Sequence, residues 1–185
     1  MKVIDGGGSA ATLRFAVIQS LFNEAVTKRL LEGALQALRL GGAKDDAVDV
    51  ICVPGAFEIP LVAAHLAKTR RYDALVCLGA VIRGETPHFE YVSAVVSQGI
   101  ARVSYEYGVP VIFGVLTTDT EAQAEARSTD GSNKGYDAGR AAIEMANLMK
   151  RLDSMRGEPI KPRPGHRRKA RPSGSPGRTR RRKRP

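Results

Sequence analysis

What this chain lacks narrows its chemistry first. It has no tryptophan and only two cysteines, Cys52 and Cys77, each inside an apolar run. Two thiols in 185 residues do not make a disulfide framework, and both read as small buried hydrophobes. Histidine is scarce too: the three are His65, His88 and His166, none with a second His or Cys at metal-ligand spacing, so no metal site is expected. No apolar stretch approaches the roughly 18 residues of a membrane span. The N-terminus has no basic segment followed by an apolar run and a cleavage site. A cytoplasmic protein without membrane contact is the expectation. Absent as well are a GxxxxGK[ST] phosphate loop, a Rossmann glycine fingerprint, a Ser/His/Asp arrangement and any internal repeat.

Acidic residues are missing from one end only. Lys161 to Pro185 holds twelve Lys and Arg and no Asp or Glu. Taking those twelve from the 29 in the chain leaves 17 basic against 19 acidic residues, so the body carries about −2 and the net +10 belongs to the tail. The same 25 residues contain five Pro, three Gly and almost nothing apolar. Such a composition cannot bury a core, which makes 158–185 a basic tail expected to be disordered. Its block Arg178 and Arg180–Arg184 would bind polyanions non-specifically through salt-sensitive phosphate contacts. Residues 1–10 are Gly-rich and expected to be flexible, leaving 11–157 as the folded domain.

Within that domain, strand and helix patterns alternate. Leu13–Ile18, Val48–Val53, Ala74–Ile82 and Val111–Leu116 read as strands, the third continuous rather than alternating, as expected where both faces are covered. Between them run helical patterns. Asn23 stands where it can cap the first, which Gly41-Gly42 stops; the long third ends at Gly108; a short Glu121–Arg127 helix precedes a last one starting at Asn133. Alternation of this kind implies a flavodoxin-like three-layer αβα sandwich on a four-stranded parallel sheet. Such sheets hold ligands past the carboxyl ends of their strands, here segments 19–24, 54–58, 83–88 and 117–120.

Those turns carry a distinctive set of side chains. Phe22 and Asn23 follow the first strand, Ala56, Phe57 and Glu58 the second. Two rings beside an amide and a carboxylate suit a flat polar heterocycle; core packing at a helix start explains the rings equally well. Gly84-Glu85-Thr86 can aim backbone N–H groups at an anion, or simply cap a helix. Arg127 can grip a phosphate with two parallel hydrogen bonds, or form a surface ion pair. His88, beside Arg83 and Thr86, is the best proton-transfer candidate, since imidazole titrates near neutrality; a solvated turn histidine is the plainer alternative. By residue chemistry alone the chain has a metal-free site for a phosphorylated or heterocyclic small molecule.

In order along the chain stand FNEAVTKRLLEGA, VPGAFEIP, LGAVIRGETPHFEYV, FGVLTTDTEAQAEAR, NKGYDAG and AIEMANL. Together, over about residues 11–153, they resemble the 6,7-dimethyl-8-ribityllumazine synthase family of riboflavin biosynthesis. The resemblance implies condensation of 5-amino-6-(D-ribitylamino)uracil with 3,4-dihydroxy-2-butanone 4-phosphate, without metal or organic cofactor. It implies that Phe22 stacks on the pyrimidine with Asn23 nearby, and that Ala56, Phe57 and Glu58 hold the ribityl chain and ring. Ala80, Val81 and Ile82 would present backbone to the heterocycle. Glu85 and Thr86 would bind phosphate through main-chain amides, with Arg127 as its cationic partner and His88 as proton donor and acceptor. Phe113 and Arg127 would reach the site from a neighbouring subunit of a homo-pentamer, and the short Ser128–Ser132 loop resembles that of members forming 60-mer shells. Two other readings compete: a flavin-binding carrier that has lost catalysis, against which His88 and Arg127 argue, and a nucleic-acid-binding assembly driven by the tail, against which the acidic body argues.

Overall fold

The computed structural model describes residues 1–129 and 131–155, so the tail 158–185 lies outside the described residues. Strand β1 (Phe15–Ser20) leads into helix α1 (Glu24–Leu40), β2 (Val48–Val53) into α2 (Ile59–Thr69), and β3 (Ala74–Ile82) into α3 (His88–Tyr107). Strand β4 (Val111–Thr118) is followed by α4 (Glu121–Ala126) and α5 (Lys134–Met155). The strands form one parallel sheet in the order β2-β1-β3-β4. The order reverses between β1 and β3, the switch point at which open α/β sheets leave a crevice.

The two-residue period of the strands sorts their side chains into two cores. Phe15, Val17, Val76 and Leu78 pack with Leu30 and Leu38 of α1 and Ala142 of α5. Ala16, Ile18, Leu75 and Cys77 face the other way, onto Ile59 and Ala63 of α2 and Val96 and Ile100 of α3. Central β1 and β3 are buried on both faces, which is why they read as unbroken apolar runs. Each fully buried side chain such as Phe15 or Ile59 stabilises the fold by about 1.5–3 kcal/mol. On one side α1 and α5 come close enough for glycine alone. A Cβ on Gly139 would stand 2.7 Å from the carbonyl oxygen of Ala34, and Gly135 lies directly against the Leu30 backbone. This crossing sets where α5 begins, and with it Lys134 and Asp137.

Several details differ from the sequence expectation, among them β4, which runs on to Thr118 rather than ending at Leu116. The first strand is Phe15–Ser20 rather than Leu13–Ile18, because polar Gln19 and Ser20 stay in register with Cys52 and Val53 and are buried there. Asn23 does begin α1, in the left-handed conformation (φ 57°), but its side chain does not cap the helix. Its amide donates instead to the carbonyl of Ala80 at 2.9 Å, stapling the turn after β1 to the end of β3. Cys52 is exposed: β2 is an edge strand, and the layer of α1 and α5 leaves its outer face open. Cys77, in central β3, is fully buried, and burial pushes its thiol pKa up. The Gly-rich residues 1–10 form no helix or strand, yet they are tied along α5. Arg151 donates to the Asp5 carboxylate and to the carbonyls of Asp5 and Gly7, and Ala10 N–H donates to Gly41.

Candidate active site

Three of the four post-strand turns converge on one cavity of about 630 Å³ at the switch point. From the turn after β1 comes Phe22, exposed over 68% of its surface; from the turn after β2, Ala56, Phe57 and Glu58, with Phe57 55% exposed. Large rings left this open in a single chain are positioned to stack on something else. The two turns are joined by main-chain hydrogen bonds, Leu21 N–H to the Val53 carbonyl at 2.8 Å and Phe22 N–H to that of Pro54 at 3.1 Å. Glu58 folds back over Gly55, where a Cβ would stand 3.0 Å from its carboxylate oxygen, so Gly55 clears the space that this carboxylate occupies.

The end of β3 supplies the floor. Ala80, Val81 and Ile82 line the same cavity, and the Ala80 carbonyl already accepts from Asn23. The Asn23 amide is therefore spent on holding the walls together. Beyond β3 the chain leaves the body: residues 83–88 are all exposed, and a Cβ on Gly84 would meet nothing within 4 Å. Among the described residues, the N–H groups of Gly84, Glu85 and Thr86 have no hydrogen-bond partner. Open amides just ahead of a 20-residue helix form a ready cradle for an anion. Thr86 and His88 line the cavity at this side, with Phe89 and Val92 of α3 behind them. Glu85 is exposed and is not among the lining residues.

Arg83, at the foot of this turn, is held by two carboxylates and a ring. Its Nε donates to Asp119 at 2.7 Å, its Nη1 to Glu90 at 2.6 Å, and the guanidinium lies over the Phe89 ring at 4.3 Å. The bonds to Asp119 and then Glu90 raise its pKa above the ordinary arginine value. It is not a free cation waiting for a ligand.

The fourth turn goes elsewhere. Thr120 caps α4, its hydroxyl accepting from Gln123 N–H at 3.2 Å, while the Gln123 side chain accepts from Asp119 N–H at 3.0 Å. Phe113 and Arg127 line a second cavity of about 430 Å³, between β4 and the start of α5. Arg127 is exposed, with Nη1 on the Gln123 carbonyl at 2.9 Å. Sequence reasoning assigned no role to Lys134 and Asp137, which line this second cavity and pair at 2.8 Å. The signal was present in Asn133, whose side chain accepts from Gly135 and Tyr136 N–H groups and donates to Arg29 and Ser128 carbonyls, fixing the residue before Lys134. Within one chain, then, Phe22, Phe57, Glu58 and His88 meet, and Phe113 and Arg127 do not join them. Among the described residues no group of His, Cys, Asp and Glu is placed to hold a metal, and no helix is long and apolar enough to cross a membrane.

A sequence model of the family described as 6,7-dimethyl-8-ribityllumazine synthase matches residues 12–150. Two curated proteins of that name, from two strains of Clostridium kluyveri, are each 53% identical to this chain over 154 residues. The match covers 83% of this chain and 100% of each relative.

Proposed function

Because the chain belongs to the 6,7-dimethyl-8-ribityllumazine synthase family, we propose that the cavity at the β1–β3 switch point is where it builds the lumazine ring. The protein is a transferase of riboflavin biosynthesis. It condenses 5-amino-6-(D-ribitylamino)uracil with 3,4-dihydroxy-2-butanone 4-phosphate to 6,7-dimethyl-8-ribityllumazine, phosphate and water. One observation carries the assignment of the site: three turns far apart in sequence bring two open aromatic rings, a carboxylate, an amide cradle and a histidine to one cavity.

Phe22 and Phe57 stack on the pyrimidine, and Glu58 accepts hydrogen bonds from the ribityl hydroxyls. The backbone at Ala80, Val81 and Ile82 bonds the heterocycle edge, in a wall that Asn23 holds in place. The N–H groups of Glu85 and Thr86 bind the phosphate of the butanone. The pyrimidine amine attacks the ketone to form an imine with loss of water. Phosphate then leaves as a proton is taken from the carbon chain, and ring closure expels a second water. His88, standing beside the phosphate cradle, moves those protons. No metal or organic cofactor is part of this reading.

The phosphate's cation comes from a second subunit. Phe113 and Arg127, with Lys134, form a separate patch along edge strand β4 and the start of α5, and adjacent copies in a homo-pentamer would complete each site. Exposed apolar residues on the outer helices, Leu61 at 76%, Tyr91 at 68% and Val95 at 44%, give such copies a surface to bury. The short loop before α5 favours further assembly into a 60-mer shell, in which repeated basic tails would make weak polyanion contacts cooperative. A cytoplasmic location fits these soluble substrates. Mixing both substrates with purified protein and following lumazine absorbance and phosphate release tests the reaction; no enzyme-dependent acceleration would reject it. Light scattering that shows only monomer would reject the shared site.

A further inference from the structure

Arg83 looks at first like a substrate-binding cation, since it opens the turn that holds the phosphate cradle. The geometry points to a different role: Arg83 is a positioning residue that fixes the cradle and His88 against the end of β4, and screens Glu90 and Asp119 from the incoming phosphate. This rests on the reading of residues 84–88 as cradle and proton shuttle.

The turn 84–87 has little of its own to hold it: the Pro87 carbonyl accepts from Glu90 N–H at 3.0 Å at its trailing end, and residues 84–86 make no such bond among the described residues. It is exposed throughout, Gly84 stands in open space, and the amides of residues 84–86 have no partner among the described residues. Order must come from its two ends, and Arg83 holds both. At the leading end, Arg83 N–H donates to the Thr118 carbonyl at 2.9 Å, extending the β3–β4 ladder by one rung. At the trailing end, its side chain grips the first turn of α3. The guanidinium lies 4.3 Å from the Phe89 ring centroid and 2.6 Å from the Glu90 carboxylate, the two residues that directly follow His88. The third grip, 2.7 Å to Asp119, ties the cluster to the turn after β4. A planar fork with donors on several edges can bridge two carboxylates and stack on a ring at once; an ammonium cannot.

Charge adds a second effect. With Arg83 in place the trio carries −1; without it, two unpaired carboxylates would stand beside the site of a phosphate dianion. Like charges at this range disfavour binding and do so more at low salt. All three side chains are largely exposed, and exposed ion pairs contribute little to folding stability. The consequence of losing Arg83 should therefore be read in kinetics rather than in melting temperature.

The test uses the full chain in its native assembly and compares Arg83→Ala with the triple variant Arg83→Gln, Glu90→Gln, Asp119→Asn. Arg83→Ala is expected to raise KM for the butanone phosphate about tenfold and lower kcat about tenfold, with KM for the pyrimidine within about twofold and little change in Tm. In the triple variant, KM for the phosphate substrate should return to within about threefold of wild type while kcat stays low, separating screening from positioning. Wild-type kinetics in Arg83→Ala would overturn the proposal, as would equal rises in both KM values with a large fall in Tm. Titration with inorganic phosphate, followed by 31P NMR, separates this from the reaction itself. Weaker phosphate binding in Arg83→Ala upholds the role of Arg83 even if wild type fails to condense the substrates, and unchanged binding contradicts it even if wild type is active.

Discussion

The two cavities of this chain are each incomplete in the way the other is equipped. The one at the switch point has aromatic walls, a carboxylate, free amides and a histidine, but its nearest arginine is held by Asp119 and Glu90. The one beside β4 has Arg127 and Lys134 with Phe113, on a shallower surface without a histidine. A phosphorylated ketone that must meet a flat pyrimidine needs both sets. That difference is what the proposed sharing of each site between neighbouring chains would explain.

The comparison can be broken most sharply at His88. His88→Ala should lower kcat by about 10²–10⁴ with assembly unchanged by light scattering, the range for loss of a general acid–base group. If instead kcat holds and only KM rises, His88 binds rather than shuttles. On the other side, Arg127→Ala should raise KM for the butanone phosphate by roughly 10–100-fold, as expected for a charge-assisted hydrogen bond. KM for the pyrimidine should barely move. Phe22→Ala should do the reverse: a rise of about 2–10-fold in KM for the pyrimidine from lost stacking, with the phosphate substrate unaffected. Matching effects of Phe22→Ala and Arg127→Ala on both substrates would mean that the two cavities do not divide the work. The smallest effect is expected from truncation after Met155, which should leave kcat and both KM values within about twofold, since every described residue that lines either cavity is retained.

Much of the fold could be read from residue pattern because its signals are strong and local. Strands β2 and β3 fall at the bounds their apolar runs suggest, Val48–Val53 and Ala74–Ile82, and Gly108 ends α3 in the left-handed conformation at φ 64°. Where pattern misled, a neighbouring strand or helix decided the outcome. Gln19 and Ser20 look like turn residues until β2 pairs with them, and Cys52 looks buried until β2 proves to be an edge. Asn23 has the type and place of a helix cap, but the carbonyl of Ala80, 57 residues away in sequence, is the better partner. Residues that line the switch-point cavity, such as Phe22, Phe57, Glu58 and His88, could be named from the sequence, whereas the occupation of Arg83 could not. No spacing rule brings Glu90 and Asp119 to one guanidinium; only the folded β3–β4 junction does.

The claim that each site is shared between chains is tested most directly by mixing two impaired proteins and assaying them at butanone phosphate well below the wild-type KM. Subunits carrying His88→Ala and subunits carrying Arg127→Ala would be unfolded, combined in equal amounts and reassembled. If the sites lie between neighbours, random assembly restores both residues at about a quarter of the junctions, and activity should rise to about that fraction of wild type. Activity no higher than the average of the two variants assembled separately would place His88 and Arg127 in the same chain's site and contradict the account.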